Sequence, residues 1–211
     1  MTKLRRYVNI FLVAATFGSW LAVFFFGTGS LVQNGIGSLK YFTMLSNLFA
    51  GAVAIAWLAN TRNGGADGSG CRASERIERL KYIAAASVGL TFAVVAGFLG
   101  PLYGYKEMFS GFNLPLHLIA PLTAMAEIIF LTDTEYTRRD NILAVIPPFL
   151  YGVAYLANII INSRGEWPDT NDWYWFFAWG YPVGMLIYAG ILAVTWLIGL
   201  MLRKLQRKRD N

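Results

Sequence analysis

The chain has 211 residues, 56% of them hydrophobic and only 14% charged, with a mean hydropathy of +0.46. A water-soluble domain carries about 25% charged residues, so the composition excludes an ordinary soluble enzyme domain and points to one polytopic membrane bundle. The net charge of +6 comes from basic residues that flank apolar runs, which makes it a topology signal and not a nucleic-acid footprint. The single cysteine, Cys71, excludes an internal disulfide, and a single histidine argues against a zinc or haem site. No metal and no cofactor is expected.

A spanning helix needs about 20 mostly apolar residues. Six segments qualify: 8–27, 41–59, 80–101, 114–132, 142–161 and 182–202. The expected fold is an all-α membrane protein, a six-transmembrane-helix bundle in which residues 1–211 form a single domain. The first run has no small-residue cleavage site after it and reads as a retained span, not a signal peptide. The longest polar connection, Asn60 to Arg79, contains NGGADGSGCRASER. Its Gly/Ser content reads as a flexible loop, with ASERIERL opening the third helix. The fifth span should kink near its start at Pro147-Pro148, which remove backbone donors.

Lys and Arg placement sets the orientation. Of the 18 basic residues, 15 fall on one side: Lys3, Arg5, Arg6, Arg62, Arg72, Arg76, Arg79, Lys81, Arg138, Arg139, Arg203, Lys204, Arg207, Lys208 and Arg209. The other side holds only Lys40, Lys106 and Arg164. The alternation predicts that both termini are cytoplasmic. The fifth loop, SRGEWPDTNDWYWFFAWGYP, then faces outward and gathers Trp167, Trp173, Tyr174, Trp175, Trp179 and Tyr181. These rings suit an interfacial aromatic belt. The sharper reading makes them a lid over an outward-opening cavity, with Glu166, Asp169 and Asp172 at its rim.

This topology gives depth to the polar residues inside the spans. Helices two, four and six descend from the outer side. Thr43, near the start of helix two, and His117, near the start of helix four, both lie roughly 5 Å below the outer boundary at about 1.5 Å rise per residue. Asn47 is one turn below Thr43 on the same face, with Ser46 close to it. Asn158 and Asn162 fall near the outer end of helix five. Polar groups thus cluster in the outer half of the membrane, the pattern of a hydrated or substrate-filled cavity. A membrane threonine ordinarily bonds the carbonyl one turn back or packs helices together. A lone membrane histidine is rarer and costlier, and stands either for function or for an interhelical hydrogen bond. Glu127 lies about 15 Å deeper than His117 along the same helix. It reads first as a buried residue holding helices together, and second as the floor of a cavity or part of a proton path. The chain has no GxSxG elbow, HExxH motif or phosphate-binding loop, and no mid-membrane lysine for a Schiff base.

Two segments, KYFTMLSNL (Lys40 to Leu48) and LPLHLIAPLTAMAE (Leu114 to Glu127), resemble the family of the androgen-induced protein and the androgen-dependent TFPI-regulating protein, which has bacterial relatives. Characterised members are intramembrane threonine hydrolases that cleave fatty acid esters of hydroxy fatty acids. The resemblance implies that Thr43 is the nucleophile and His117 the essential histidine, followed by Pro121 and Glu127. The proline stands at plus four, where some animal members have plus five. The implied chemistry is acyl transfer from a lipid ester through a Thr/His dyad, supported by Ser46, Asn47, Asn158 and Glu127 and by Trp179 and Tyr181 from the aromatic loop. The implied partners are a lipid ester substrate and membrane lipids, with no nucleic acid. The expected location is multi-pass in the cytoplasmic membrane of a bacterium. Two other readings stand beside it: a non-catalytic membrane protein binding a lipid or small ligand, and a proton-coupled transporter using Glu127.

Overall fold

The structure is a computed structural model that describes residues 2–27, 33–62, 74–166 and 170–210. Cys71, Arg72, Trp167, Asp169 and the centre of the Gly/Ser loop lie outside them. The described residues form helices and turns, with no strand. The helices are α1 (Thr2–Phe26), α2 (Phe42–Arg62), α3 (Glu75–Tyr103), the short α4 (Tyr105–Met108), α5 (Pro115–Phe130), α6 (Arg138–Leu143), α7 (Ile146–Asn162) and α8 (Tyr181–Asp210). A 3₁₀ segment, Gly35–Lys40, leads into α2.

Five helical runs are long and apolar enough to cross a membrane: α1, α2, α3, the combined run Arg138–Asn162, and α8. Several extend beyond the apolar stretch read from the sequence, because charged residues at their ends continue the helix into polar surroundings; α8 runs eight residues past Leu202, to Asp210. The expected fourth span is the exception. α5 is apolar but short, about 24 Å long at 1.5 Å per residue against a hydrocarbon core of about 30 Å. It stops at Leu131, whose φ of −121° and ψ of 0° leave the helical region. The expected kink at Pro147-Pro148 is instead a break at Ala144-Val145 followed by a new helix. Both prolines sit in the first turn of α7, where the missing N–H groups have no helical partner to lose.

α3 is the centre, packing against α2, α5 and α8. Its small residues Ala84, Ala85, Ala86 and Ser87 are buried, and small side chains let helices approach closely. Gly51 serves the same purpose between α2 and α1, since a Cβ there would come within 2.3 Å of Thr16 Oγ1. Large apolar side chains face outward around the bundle, among them Phe25, Phe26, Leu150, Ile160, Ile161 and Leu186, the surface a lipid environment favours.

At the end holding the start of α1, the end of α2 and the start of α3, the helices are tied by buried charge. Arg5 forks onto Glu78 at 2.9 and 2.5 Å, and its Nε donates to Glu127 at 2.9 Å. Lys81 Nζ lies 2.8 Å from the second Glu127 oxygen and donates to Asn9 Oδ1 at 2.5 Å. Trp57 Nε1 and Thr132 Oγ1 donate to Glu78 at 3.0 Å each. Arg5 and Lys81, which the sequence places among the basic residues flanking the spans, are both buried, at 8% and 5% exposure. Two cations and two carboxylates cancel, and their hydrogen bonds offset the large cost of taking charge out of water. Glu127 thus holds α5 to α1 and α3.

Candidate functional site

The opposite end is built around the start of α2. Tyr41 is extended, with φ −87° and ψ 132°, and the helix begins at Phe42. The first N–H groups of a helix have no partner within it. Phe42 N–H finds one in the Tyr174 hydroxyl at 2.8 Å, which brings the loop between α7 and α8 onto the residue preceding Thr43.

Thr43 is half-buried. Thr16, Thr61 and Thr195 each donate to the carbonyl one turn back, at 2.8, 2.9 and 2.8 Å. Thr43 stands in the first turn, where the residue four before it, Leu39, belongs to the 3₁₀ segment. Its hydroxyl makes no hydrogen bond among the described residues, while its carbonyl accepts from Ser46 Oγ at 3.2 Å and Asn47 Nδ2 at 2.8 Å.

Thr43 lines an apolar cavity between α2, α3, α7 and α8. Leu90, Val94, Pro148, Leu156, Met185 and Ile191 are among its apolar walls, and Tyr174, Phe176 and Phe177 of the loop close one end. Gly152 and Gly184 give the aromatic rings room, since a Cβ at either would fall within 2.2 Å of Tyr188 or Phe177. A largely apolar pocket with a few polar groups among its lining suits an apolar ligand whose polar end lies near Thr43.

His117 reaches the same region from α5 but does not line the cavity. It sits in the middle of a wide turn, Pro115–Ile119, in which each carbonyl bonds five residues ahead. Such turns are frequent at functional sites. The turn has a local cause and a local consequence. The Ala120 N–H goes to Pro115 O, and the residue that would serve Leu116 O is Pro121, which has no N–H. Asn47 Nδ2 fills that gap, donating to Leu116 O at 3.0 Å as well as to Thr43 O. One amide thus links the turn below Thr43 to the residue before His117. Asn47 Oδ1 is buried without a partner among the described residues.

The imidazole is 8% exposed, and its Nδ1 is 2.6 Å from Met108 O. A carbonyl only accepts, so Nδ1 carries the proton and the neutral ring presents Nε2 as the acceptor. That is the tautomer a general base needs. His117 and Thr43 are not hydrogen-bonded to each other.

The other candidates separate. Ser46 Oγ pairs with Thr91 Oγ1 at 2.9 Å below Thr43. Glu127 belongs to the ionic cluster at the far end. Asn158 bonds Asn171 of the loop at 3.2 Å and accepts from Asn162, away from the cavity walls. Tyr151, not Asn158, is level with the start of α2: its hydroxyl donates to Lys40 O at 2.6 Å. Asn158 lies about 10 Å further along α7 at 1.5 Å per residue. Trp179 and Tyr181 are 59% and 54% exposed and lie outside the cavity.

Sequence reasoning missed how the loop folds. It tucks inward, so that Tyr155 rests among Trp173, Tyr174, Phe176 and Phe177 with ring centroids 4.7 to 6.2 Å apart. Asp172, expected at a rim, is 2% exposed. Its carboxylate accepts from the Tyr155 hydroxyl at 2.5 Å and the Phe177 N–H at 3.1 Å, which fixes a turn that carries Trp175 at a φ of 60°. Burial pushes the Tyr174 phenol up to about 12, against the opposing pull of the Tyr151 hydroxyl and the Phe42 amide. The signal for this arrangement was present in DWYWFF, but an aromatic belt and a folded-in plug share that composition.

No family model, curated protein or solved structure matches the chain.

Proposed function

We propose that the protein is an intramembrane hydrolase of lipid esters, with Thr43 as nucleophile and His117 as general base. Six helices cross the membrane in this reading, α5 as the short fourth span, with both termini in the cytoplasm of a bacterium and the cavity in the outer half. The observation that carries the proposal is Thr43, whose hydroxyl makes no hydrogen bond among the described residues and which lines an apolar cavity. The Nε2-acceptor form of His117, on the segment joined to α2 through Asn47, supports it further.

The chemistry runs in two steps. Thr43 Oγ attacks the ester carbonyl carbon as its proton passes to His117 Nε2; the carbon–oxygen bond to the alcohol breaks, and that proton leaves with the alcohol. Water then attacks the acyl-threonine, giving a proton to Nε2, and the same proton returns to Thr43 as the fatty acid departs. Both steps need Nε2 within hydrogen-bond reach of the reacting oxygen, a contact that often tightens only with substrate bound. Long-chain esters are the substrate class, fatty acid esters of hydroxy fatty acids among them.

Purified protein should hydrolyse long-chain fluorogenic esters, and Thr43→Ala and His117→Ala should each lose that activity. A fluorophosphonate probe should label the wild type but not Thr43→Ala. A second reading, a lipid-binding protein without turnover, is favoured by the absence of His117 from the cavity wall. Bound lipid in a protein inert to both ester and probe would select it.

A further inference from the structure

Four tyrosines line the cavity: Tyr151, Tyr155, Tyr174 and Tyr188. Three spend their phenolic proton on the protein. Tyr151 donates to Lys40 O at 2.6 Å, Tyr155 to Asp172 Oδ1 at 2.5 Å and Tyr188 to Phe149 O at 2.7 Å. Tyr174 differs. Its oxygen accepts from the Phe42 N–H at 2.8 Å and neighbours the Tyr151 hydroxyl, and its own proton goes to no backbone carbonyl or carboxylate among the described residues. A hydroxyl that accepts from a helix's first amide is a stronger donor through its own proton, because the two hydrogen bonds polarise each other. It is also firmly placed. Phe176 stacks on the ring at 5.1 Å, Tyr41 meets it edge-on at 6.1 Å and Tyr155 flanks it at 5.9 Å.

The chemical need at this place is specific. As a threonine oxygen adds to an ester, the carbonyl oxygen takes on negative charge, and a preorganised donor in a dry site lowers the barrier most. The sequence leaves that donor unassigned, with Asn or hydroxyl groups of helices two and five as its candidates. Tyr174 meets the requirements: it borders the same cavity as Thr43, is bonded to the residue before it, and has a proton to give. We propose that Tyr174 is the donor to the ester carbonyl oxygen, hydrogen-bonding that oxygen as Thr43 attacks. The inference rests on the hydrolase reading and adds to it a third functional residue, supplied by the aromatic loop.

The phenol stays protonated under physiological conditions, since burial holds it up near 12. It stabilises charge and takes no part in proton transfer. The loop therefore has two tasks on one residue: its ring closes the cavity, and its hydroxyl serves the chemistry.

Four proteins test this on a long-chain fluorogenic ester: wild type, Tyr174→Phe, Thr43→Ala and Trp173→Phe. Tyr174→Phe should lower kcat about 10²-fold, the usual cost of one lost oxyanion donor, with KM little changed. Trp173→Phe removes a different loop hydrogen bond, the one from Nε1 to the Tyr151 hydroxyl at 3.1 Å, and should keep the wild-type kcat. An equal fall in both variants would mean that loop anchoring alone is at work and would overturn the proposal. Wild-type kcat in Tyr174→Phe, with Thr43→Ala inactive, would overturn the Tyr174 role and leave the hydrolase reading standing. Full activity in Thr43→Ala would overturn both. A fluorinated tyrosine at position 174 keeps the ring and the loop bond while making the phenol more acidic. It should move the alkaline limb of the kcat–pH profile downward, and an unmoved limb would count against the proposal even if Tyr174→Phe folds poorly.

Discussion

The two ends of the bundle treat polar atoms in opposite ways. Around Arg5, Lys81, Glu78 and Glu127, cations and carboxylates are mutually paired and neighbouring donors complete the set. Around Thr43 the bonds are left incomplete: among the described residues the Thr43 hydroxyl and Asn47 Oδ1 have no partner, and the Tyr174 proton goes to no backbone carbonyl or carboxylate. Saturated polar groups in an apolar interior hold helices together. Unsaturated ones cost stability, and Thr43 and Tyr174 both line one cavity. The proposed site thus lies at the end with less charge, and the saturated cluster at the other end serves packing.

The sharpest way to break that comparison is to ask each end for the other's phenotype. Thr43→Ala should abolish ester hydrolysis while leaving the melting temperature of the detergent-solubilised protein unchanged, because the hydroxyl it removes makes no hydrogen bond among the described residues. A large drop in melting temperature would show Thr43 to be structural. At the other end, Glu127→Ala strands Arg5 and Lys81 and should cost about 3–5 kcal/mol of stability, read as a lower melting point and poorer yield. The double variant Lys81→Met/Glu127→Leu should recover much of it, since an apolar pair can replace a buried ion pair. The hydrolytic rate of whatever folded protein remains should be unaffected.

A smaller effect tests the cavity itself. Gly152→Val should push Tyr188 into the cavity and raise KM for long-chain esters by about tenfold, the scale of a few lost methylene contacts. A short-chain ester should be spared; equal losses for both would mean that the cavity does not hold the chain. Smallest of all, Trp179→Ala and Asn158→Ala should change stability by no more than about 0.5 kcal/mol and kcat by little, as residues outside the cavity. A strong catalytic defect in either would return the aromatic rim to the site.

Much of this was legible in the sequence because membrane helices advertise themselves through apolar length and flanking charge. The positions of Thr43, Asn47 and His117 near one end of their helices followed from topology and helical rise. What escaped was tertiary. Arg5 and Lys81 look like other flanking basic residues, and only the folded positions of Glu78 and Glu127 draw them inside. Where the fourth helix stops was not legible either, because apolar length does not register the chain leaving the helical region at Leu131. The loop's inward fold depends on Asp172 meeting the Tyr155 hydroxyl across seventeen residues, a pairing that no local pattern encodes.

The wide turn at Pro115–Ile119 bears on how relatives of this chain would compare with it. Such a turn is an ordinary helical turn with one residue added, so it can gain or lose a residue while the helix on one side and the loop on the other keep their places. A histidine-to-proline spacing that differs by one between two chains then reflects local winding, not a different architecture.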